Sequence, residues 1–206
     1  MTSKPTPSGI IVCLPQAELD DYVGVVETLI QEGFHNFALH ASAECAAEVI
    51  AIFRSRATFG SYRASTVDQV ATASEAGASF VLLDAPDDVV IGSALDLSLA
   101  CFAAAMTPTE VRAVLATGAT GALLFPADVV GHALGHRLAE VGIADRVIPL
   151  GGIGAYAAGE WFKAGAPAVC IEATLLGDAF TGGSLTQLRD RSGSFISVQK
   201  KQFPDS

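Results

Sequence analysis

The chain has 206 residues, half of them hydrophobic, and its 12 lysines and arginines face 22 aspartates and glutamates for a formal net charge of −10. Such a composition excludes a disordered chain, and the absence of any compositional shift points to one domain over residues 1–206. The acidic balance argues against a general affinity for nucleic acid or for an anionic membrane.

The chain opens with a polar, proline-broken stretch, residues 1–9, read as a flexible tail. No secretory apolar segment follows it, and no apolar run reaches the ~20 residues needed to span a bilayer. A cytoplasmic protein is expected. Ile10 to Leu14 reads as a first strand. Leu19, Tyr22, Val23, Val26, Leu29 and Ile30 then recur at helical spacing, and Gly33 stops that helix. Strands are predicted at Phe37 to Ala41, Ala57 to Tyr62 and Phe80 to Leu83. The helices between them run from Ala43 to Arg54 and from Thr66 to Glu75. Only a weak helix or turn is expected after Pro86. Leu99 to Ala105 reads as a fifth strand, and Thr107 to Glu110 match a capping box with proline at the first helical position. Three more strands follow at Ala122 to Phe125, Arg146 to Leu150 and Ala168 to Glu172. Helices over Asp128 to Val141 and Ala155 to Lys163 separate them. Eight β/α units favour a parallel sheet closed into a (β/α)8 TIM barrel, in the α/β class. The segment from Gly182 to Lys201 is polar and less patterned, and is expected beneath or beside the barrel.

Cys13, Cys101 and Cys170 fall in apolar strand-like runs, and with Cys45 they form no C-x-x-C pair, so buried reduced thiols are expected. His132 and His136 stand four apart on a predicted helix but lack the glutamate of a zinc-protease motif, so they read as a solvated or interface face. Trp161, Phe162 and Lys163 belong to a helix coating the barrel.

Leu123-Leu124-Phe125-Pro126-Ala127-Asp128 resembles the sixth-strand Lys-Phe-Phe-Pro-Ala-Glu motif of the 2-keto-3-deoxy-6-phosphogluconate (KDPG) and 4-hydroxy-2-oxoglutarate (KHG) aldolases. Glu44-Cys45-Ala46, Glu75-Ala76-Gly77-Ala78, Thr107 with Glu110, and Gly151-Gly152-Ile153 match further family motifs in order, so the resemblance covers nearly the whole chain. It implies a TIM barrel, no cofactor and a homotrimer. The departures are concentrated at the strand ends. Leu123 stands where the family's Schiff-base lysine would be, and leucine cannot condense with a carbonyl. The proton-handling glutamate aligns with Ala38, the carboxylate-binding arginine with Ser42, and the threonine before Gly-Gly-Ile with Leu150. The Gly-Gly-Ser phosphate loop of strand eight becomes Glu172-Ala173-Thr174, which sets a carboxylate where a phosphate should meet backbone N–H groups. Asp128 replaces a family glutamate and reads as stabilising a helix N-terminus.

Period-two alternation puts Ala38, His40 and Ser42 on one side of strand two. His40, Arg63 and Glu172 are therefore the candidate catalytic groups, with histidine as a base and Arg63 as a carboxylate clamp. Ser42, Arg63, Asp84, Thr107, Gly151, Gly152 and Thr174 are the candidate binding residues. No metal site is expected. Three functions remain open: a small-metabolite binder without Schiff-base chemistry, a lysine-independent lyase or isomerase acting on a small keto or hydroxy acid, and a structural or regulatory subunit. The last would have a mouth plugged by Leu123, Leu150 and an Arg63–Glu172 pair.

Overall fold

The computed structural model describes residues 6–203. Buried apolar runs form eight strands: β1 (Gly9–Leu14), β2 (Asn36–His40), β3 (Thr58–Ala64), β4 (Phe80–Leu83), β5 (Ala100–Ala105), β6 (Gly121–Leu124), β7 (Val147–Pro149) and β8 (Ala168–Ile171). The helices α1 (Leu19–Glu32), α2 (Ala46–Phe53), α3 (Val67–Glu75), α4 (Asp88–Asp96) and α5 (Pro108–Ala116) alternate with them. After β6 come α6 (Ala127–Val130) and α7 (Ala133–Glu140), after β7 comes α8 (Ala155–Lys163), and after β8 come α9 (Ala173–Leu176) and α10 (Leu185–Gln202). All ladders are parallel, in the order β7-β6-β5-β4-β3-β2-β1-β8. β7 and β8 lie side by side without a ladder, so the sheet curls into the expected, nearly closed barrel. No helix among the described residues is long and apolar enough to cross a membrane.

Two apolar clusters follow from strand alternation. One lies between the sheet and the helices, and includes Trp161 and Phe162 of α8. The other fills the barrel interior and takes in Cys13, Ala38, Tyr62, Phe80, Phe102, Leu123 and Leu150. Large rings fit inside because glycines face them. A Cβ on Gly60 would fall within the ring of Phe80, and a Cβ on Gly121 would lie 2.8 Å from Cε1 of Phe102. Both rings therefore depend on a position without a side chain.

Four local readings of the sequence are corrected. The weak helix or turn after Pro86 is the two-and-a-half-turn α4, whose N-cap Asp87 accepts hydrogen bonds from the amides of Val89 and Val90 at 2.9 and 3.0 Å. The single helix expected over Asp128 to Val141 is two, because Gly131 at φ +73° ends α6. The C-terminal segment is an 18-residue helix packed on α1 and α8, and its buried Leu188, Ser192, Phe195 and Ile196 keep helical spacing. Of the expected tail, residues 1–5 lie outside the described residues, whereas Gly9 begins β1 and the Ser8 carbonyl accepts a hydrogen bond from Asn36. The capping box is as read: the Thr107 hydroxyl accepts from the Glu110 amide at 3.3 Å, and the Glu110 carboxylate accepts from the Thr107 amide at 2.8 Å.

The Gly60–Phe80 contact yields a direct test. Replacing Gly60 by alanine overpacks a ring that has no exposed side to retreat to, at a cost of ~1–3 kcal/mol. Urea denaturation of the G60A variant should show that loss. An unchanged midpoint would mean the barrel interior is not filled as described.

Candidate active site

The interior cluster closes the barrel toward the C-terminal strand ends. Leu123 of β6 is 1 % exposed and Leu150, just beyond β7, is fully buried. Tyr62 of β3 lies in the same cluster at 5 % exposure. On β2, His40 pairs in register with Tyr62 and meets its ring edge-on, with centroids 5.4 Å apart. The backbone amide of Ser42 donates to His40 Nδ1 at 3.1 Å. Nδ1 is therefore the acceptor, and in the neutral ring Nε2 carries the proton.

A bulge shapes the next position. Tyr62 pairs with Leu82 and Ala64 with Leu83, so Arg63 is an extra residue and takes a left-handed φ of 62°. That conformation costs a non-glycine residue ~1 kcal/mol. It swings the guanidinium to 4.4 Å from the Phe125 ring centroid, where Nη1 donates to Asp84 Oδ1 at 3.2 Å. The plug of an Arg63–Glu172 pair is thus not formed, since the ion pair of Arg63 is with Asp84.

Glu172 follows β8 and is half-buried. Among the described residues its carboxyl group enters no hydrogen bond or ion pair. Burial raises its pKa above the usual carboxylate range; Arg63 opposes the rise and Asp128 adds to it. Tyr62 is raised too, first by burial and then by the Cys13 and Glu172 charges. The Cys13 thiol, hydrogen-bonded to Cys170 inside the barrel, is pushed up by burial. All four cysteines are free, with Cys13, Cys101 and Cys170 buried.

Asp128 lies in the first turn of α6, as its expected N-terminal role requires, and its side chain also meets the double glycine. Gly151 and Gly152 have φ of +115° and +60°, and a Cβ on Gly152 would lie 2.8 Å from Asp128 Oδ2. The Asp128 side chain is therefore laid against the double glycine. The other candidates divide. Ser42 serves through its amide, and Thr107 is spent on its capping box. The Thr174 hydroxyl donates to the Ile153 carbonyl at 2.6 Å, tying the β8 loop to the β7 loop. His132 precedes α7 and meets the Tyr156 ring edge-on, while His136 lies 3.8 Å from Glu160, so both histidines turn to α8. Among the described residues no three His, Cys, Asp or Glu side chains converge as a metal site would require.

A family model described as KDPG and KHG aldolase matches residues 2–184. The chain belongs to the KDPG/KHG aldolase family. No protein of curated function matches it in sequence. Among solved structures it is similar to the 4-hydroxy-2-oxoglutarate aldolase/2-deydro-3-deoxyphosphogluconate aldolase from TTHB1, at 24% identity over 92% of this chain and 94% of that one, with a TM-score of 0.79. It is also similar to the KDPG aldolase of Legionella pneumophila, solved with pyruvate as a covalent carbinolamine intermediate, at 18% identity over 93% and 94% and a TM-score of 0.75. A third likeness is to a cube-shaped cage designed by fusing symmetric oligomeric domains, at 18% identity over 97% of this chain and 74% of that chain, with a TM-score of 0.84. These likenesses establish the fold.

In this member of the KDPG/KHG aldolases, the rim above the apolar floor thus carries His40, Arg63, Asp84, Asp128 and Glu172. Sequence reasoning missed Asp128 and Tyr62 as parts of it. The signal for Asp128 was its place one strand away from Gly151-Gly152. Tyr62 carried the same period-two relation to Gly60 that put His40 beyond Ala38.

The raised Glu172 has a measurable consequence. Above the ordinary carboxylate pKa of 4.5, and up to its folded value, the folded state holds more protons than the unfolded one. The stability linked to Glu172 is therefore present at low pH and lost as pH rises through the folded pKa. Glu172→Gln removes that loss, so its melting temperature should gain on wild type as pH rises above 4.5. A difference independent of pH would show that Glu172 is not perturbed.

Proposed function

We propose that the protein binds a small, unphosphorylated metabolite at the strand-end rim without forming a Schiff base. The observation that carries this is Leu123, an aliphatic side chain sealed in the floor where the family resemblance calls for the lysine. No other described amine can take over. Lys163 sits on the outer helix α8 with Nζ 2.6 Å from Glu160 Oε1, and Lys200 and Lys201 lie on α10. Lys4 lies outside the described residues. The Asp128 carboxylate at Gly152 and the half-buried Glu172 both oppose a phosphate dianion at the loops where the family would cradle one. Guanidinium N–H groups of Arg63 beyond its one bond to Asp84 remain to meet a ligand carboxylate.

Binding is favoured over a lysine-independent lyase or isomerase because His40 accepts from the Ser42 amide at Nδ1. Its other nitrogen is then a donor, not a base. The filled floor of Leu123 and Leu150 supports a second reading, in which the chain serves as a structural or regulatory subunit. In either case we propose a cytoplasmic homotrimer. Val89, Val129 and Tyr156, exposed in the first turns of α4, α6 and α8, supply apolar surface for such contacts.

Borohydride reduction in the presence of pyruvate should leave the protein mass unchanged, and pyruvate methyl protons should not exchange with deuterium oxide in a protein-dependent way. A trapped adduct, or exchange, would overturn the reading. Light scattering of the purified chain should give the mass of three copies, and a monomer would remove the trimer.

A further inference from the structure

We infer that the groove between α8 and α10, on the outside of the barrel, binds a small monocarboxylate with an apolar chain, its tail laid along α8 and its carboxylate on Lys201. This site is separate from the strand-end rim and goes beyond the function proposed there.

The two helices leave a cavity of about 260 Å³ between them, lined by Tyr156, Gly159, Phe162 and Lys163 of α8 and by Val198 and Lys201 of α10. Its base is apolar. Phe162 is 1 % exposed and meets Phe203 edge-on with centroids 5.3 Å apart, and Val198 lies opposite Gly159. Gly159 keeps the groove open. A glycine inside a helix is unfavourable, and close packing does not demand this one, because a Cβ there would sit at contact distance from Val198, 3.4 Å from Cγ1.

The direction of the helices brings the cations together. Leu185, at the start of α10, lies against Gly24 of α1, and Gln199, near its end, accepts a hydrogen bond from the Ile10 amide at the start of β1. α10 therefore descends the barrel in the same sense as α8, which returns the chain from β7 to the start of β8. Lys163 and Lys201 consequently stand at the same, lower end of the groove.

Charge supplies the second observation. In a chain of net charge −10, three of its four lysines gather here: Lys163 and Lys201 line the groove, and Lys200 adjoins it beside Lys201. Lys163 Nζ is 2.6 Å from Glu160 Oε1, so that pair is neutral. Lys201 has no ion-pair partner among the described residues and is left as the cation at the mouth. One ammonium beside a neutral pair matches one carboxylate, whereas a phosphate dianion would also face Glu160. Between positions 156 and 163 α8 rises ~10 Å, about the reach of an extended medium-chain acyl group. The cavity lies at the small end for ligand sites, which run from roughly 300 to 1,000 Å³. Its few lining residues fall far short of the roughly 20–30 a side that a stable protein interface engages.

The test is an amide-resolved NMR titration of the full chain with sodium octanoate, octylammonium chloride and inorganic phosphate at constant ionic strength. Octanoate should saturably shift the amides of Gly159, Lys163, Val198 and Lys201, while octylammonium and phosphate should not. Lys201→Gln, a change at an exposed position, should weaken octanoate about tenfold. Gly159→Leu, which puts a side chain into the groove, should abolish the shifts and leave the spectrum elsewhere as in wild type. Octylammonium binding as tightly as octanoate would overturn the carboxylate class. Octanoate shifts confined to the rim, or surviving both substitutions, would place the ligand elsewhere and sink the proposal. Groove amides that move with protein concentration and not with octanoate would give this surface to a second copy of the chain. No saturable shift with octanoate would remove the site.

Discussion

Everything at the strand ends rests on how the barrel interior is filled. Phe80 and Phe102 occupy the half nearer the N-terminal strand ends because Gly60 and Gly121 leave room for their rings. Leu82, Leu123, Leu150 and Tyr62 can then pack above them as a continuous apolar layer. Interiors packed to this density transmit small volume changes. A side chain in this layer is consequently fixed in height and direction, and the polar residues two positions further along each strand inherit that geometry. His40 beyond Ala38 and Glu172 beyond Cys170 are where they are because their inward neighbours are sealed below.

That dependence also explains which parts of the fold were legible. The strands were readable wherever burial on both faces made an unbroken apolar run, as at Phe80 to Leu83, and α8 was readable from Ala155 to Lys163 because its apolar stripe is uninterrupted. α10 was obscured by its low mean hydropathy, and the stripe contains a serine. Ser192 is buried because its hydroxyl donates to the Leu188 carbonyl at 2.9 Å, so it reads as polar and packs as apolar. The break at Gly131 was hidden for the opposite reason, since helical spacing continues across it and only the positive φ reveals it.

The site was legible in composition and less so in pairing. Alternation brought His40, Arg63, Asp84 and Glu172 to the strand ends, and the structure gathers them there. It could not reveal the bulge at Arg63, because one inserted residue changes no composition and reverses the side to which a side chain points. Hence the ion pair with Asp84 in place of Glu172. Asp128 was read from its own helix alone. Its packing on Gly152 is a relation between two loops that no local pattern encodes.

These displacements make the loss of lysine more than the loss of a nucleophile. An amine at position 123 would add positive charge to the interior that Glu172 borders, and so oppose the desolvation that now raises its pKa. With leucine there, the floor gains apolar packing and the rim loses a counter-ion. Arg63 does not make up the difference, since the same bulge that brings it to the rim also delivers it to Asp84 and the face of Phe125. With no amine in the floor and Arg63 engaged by Asp84, the carboxylates of Asp128 and Glu172 have no ion-pair partner among the described residues, so the burial that raises the Glu172 pKa is opposed only in part.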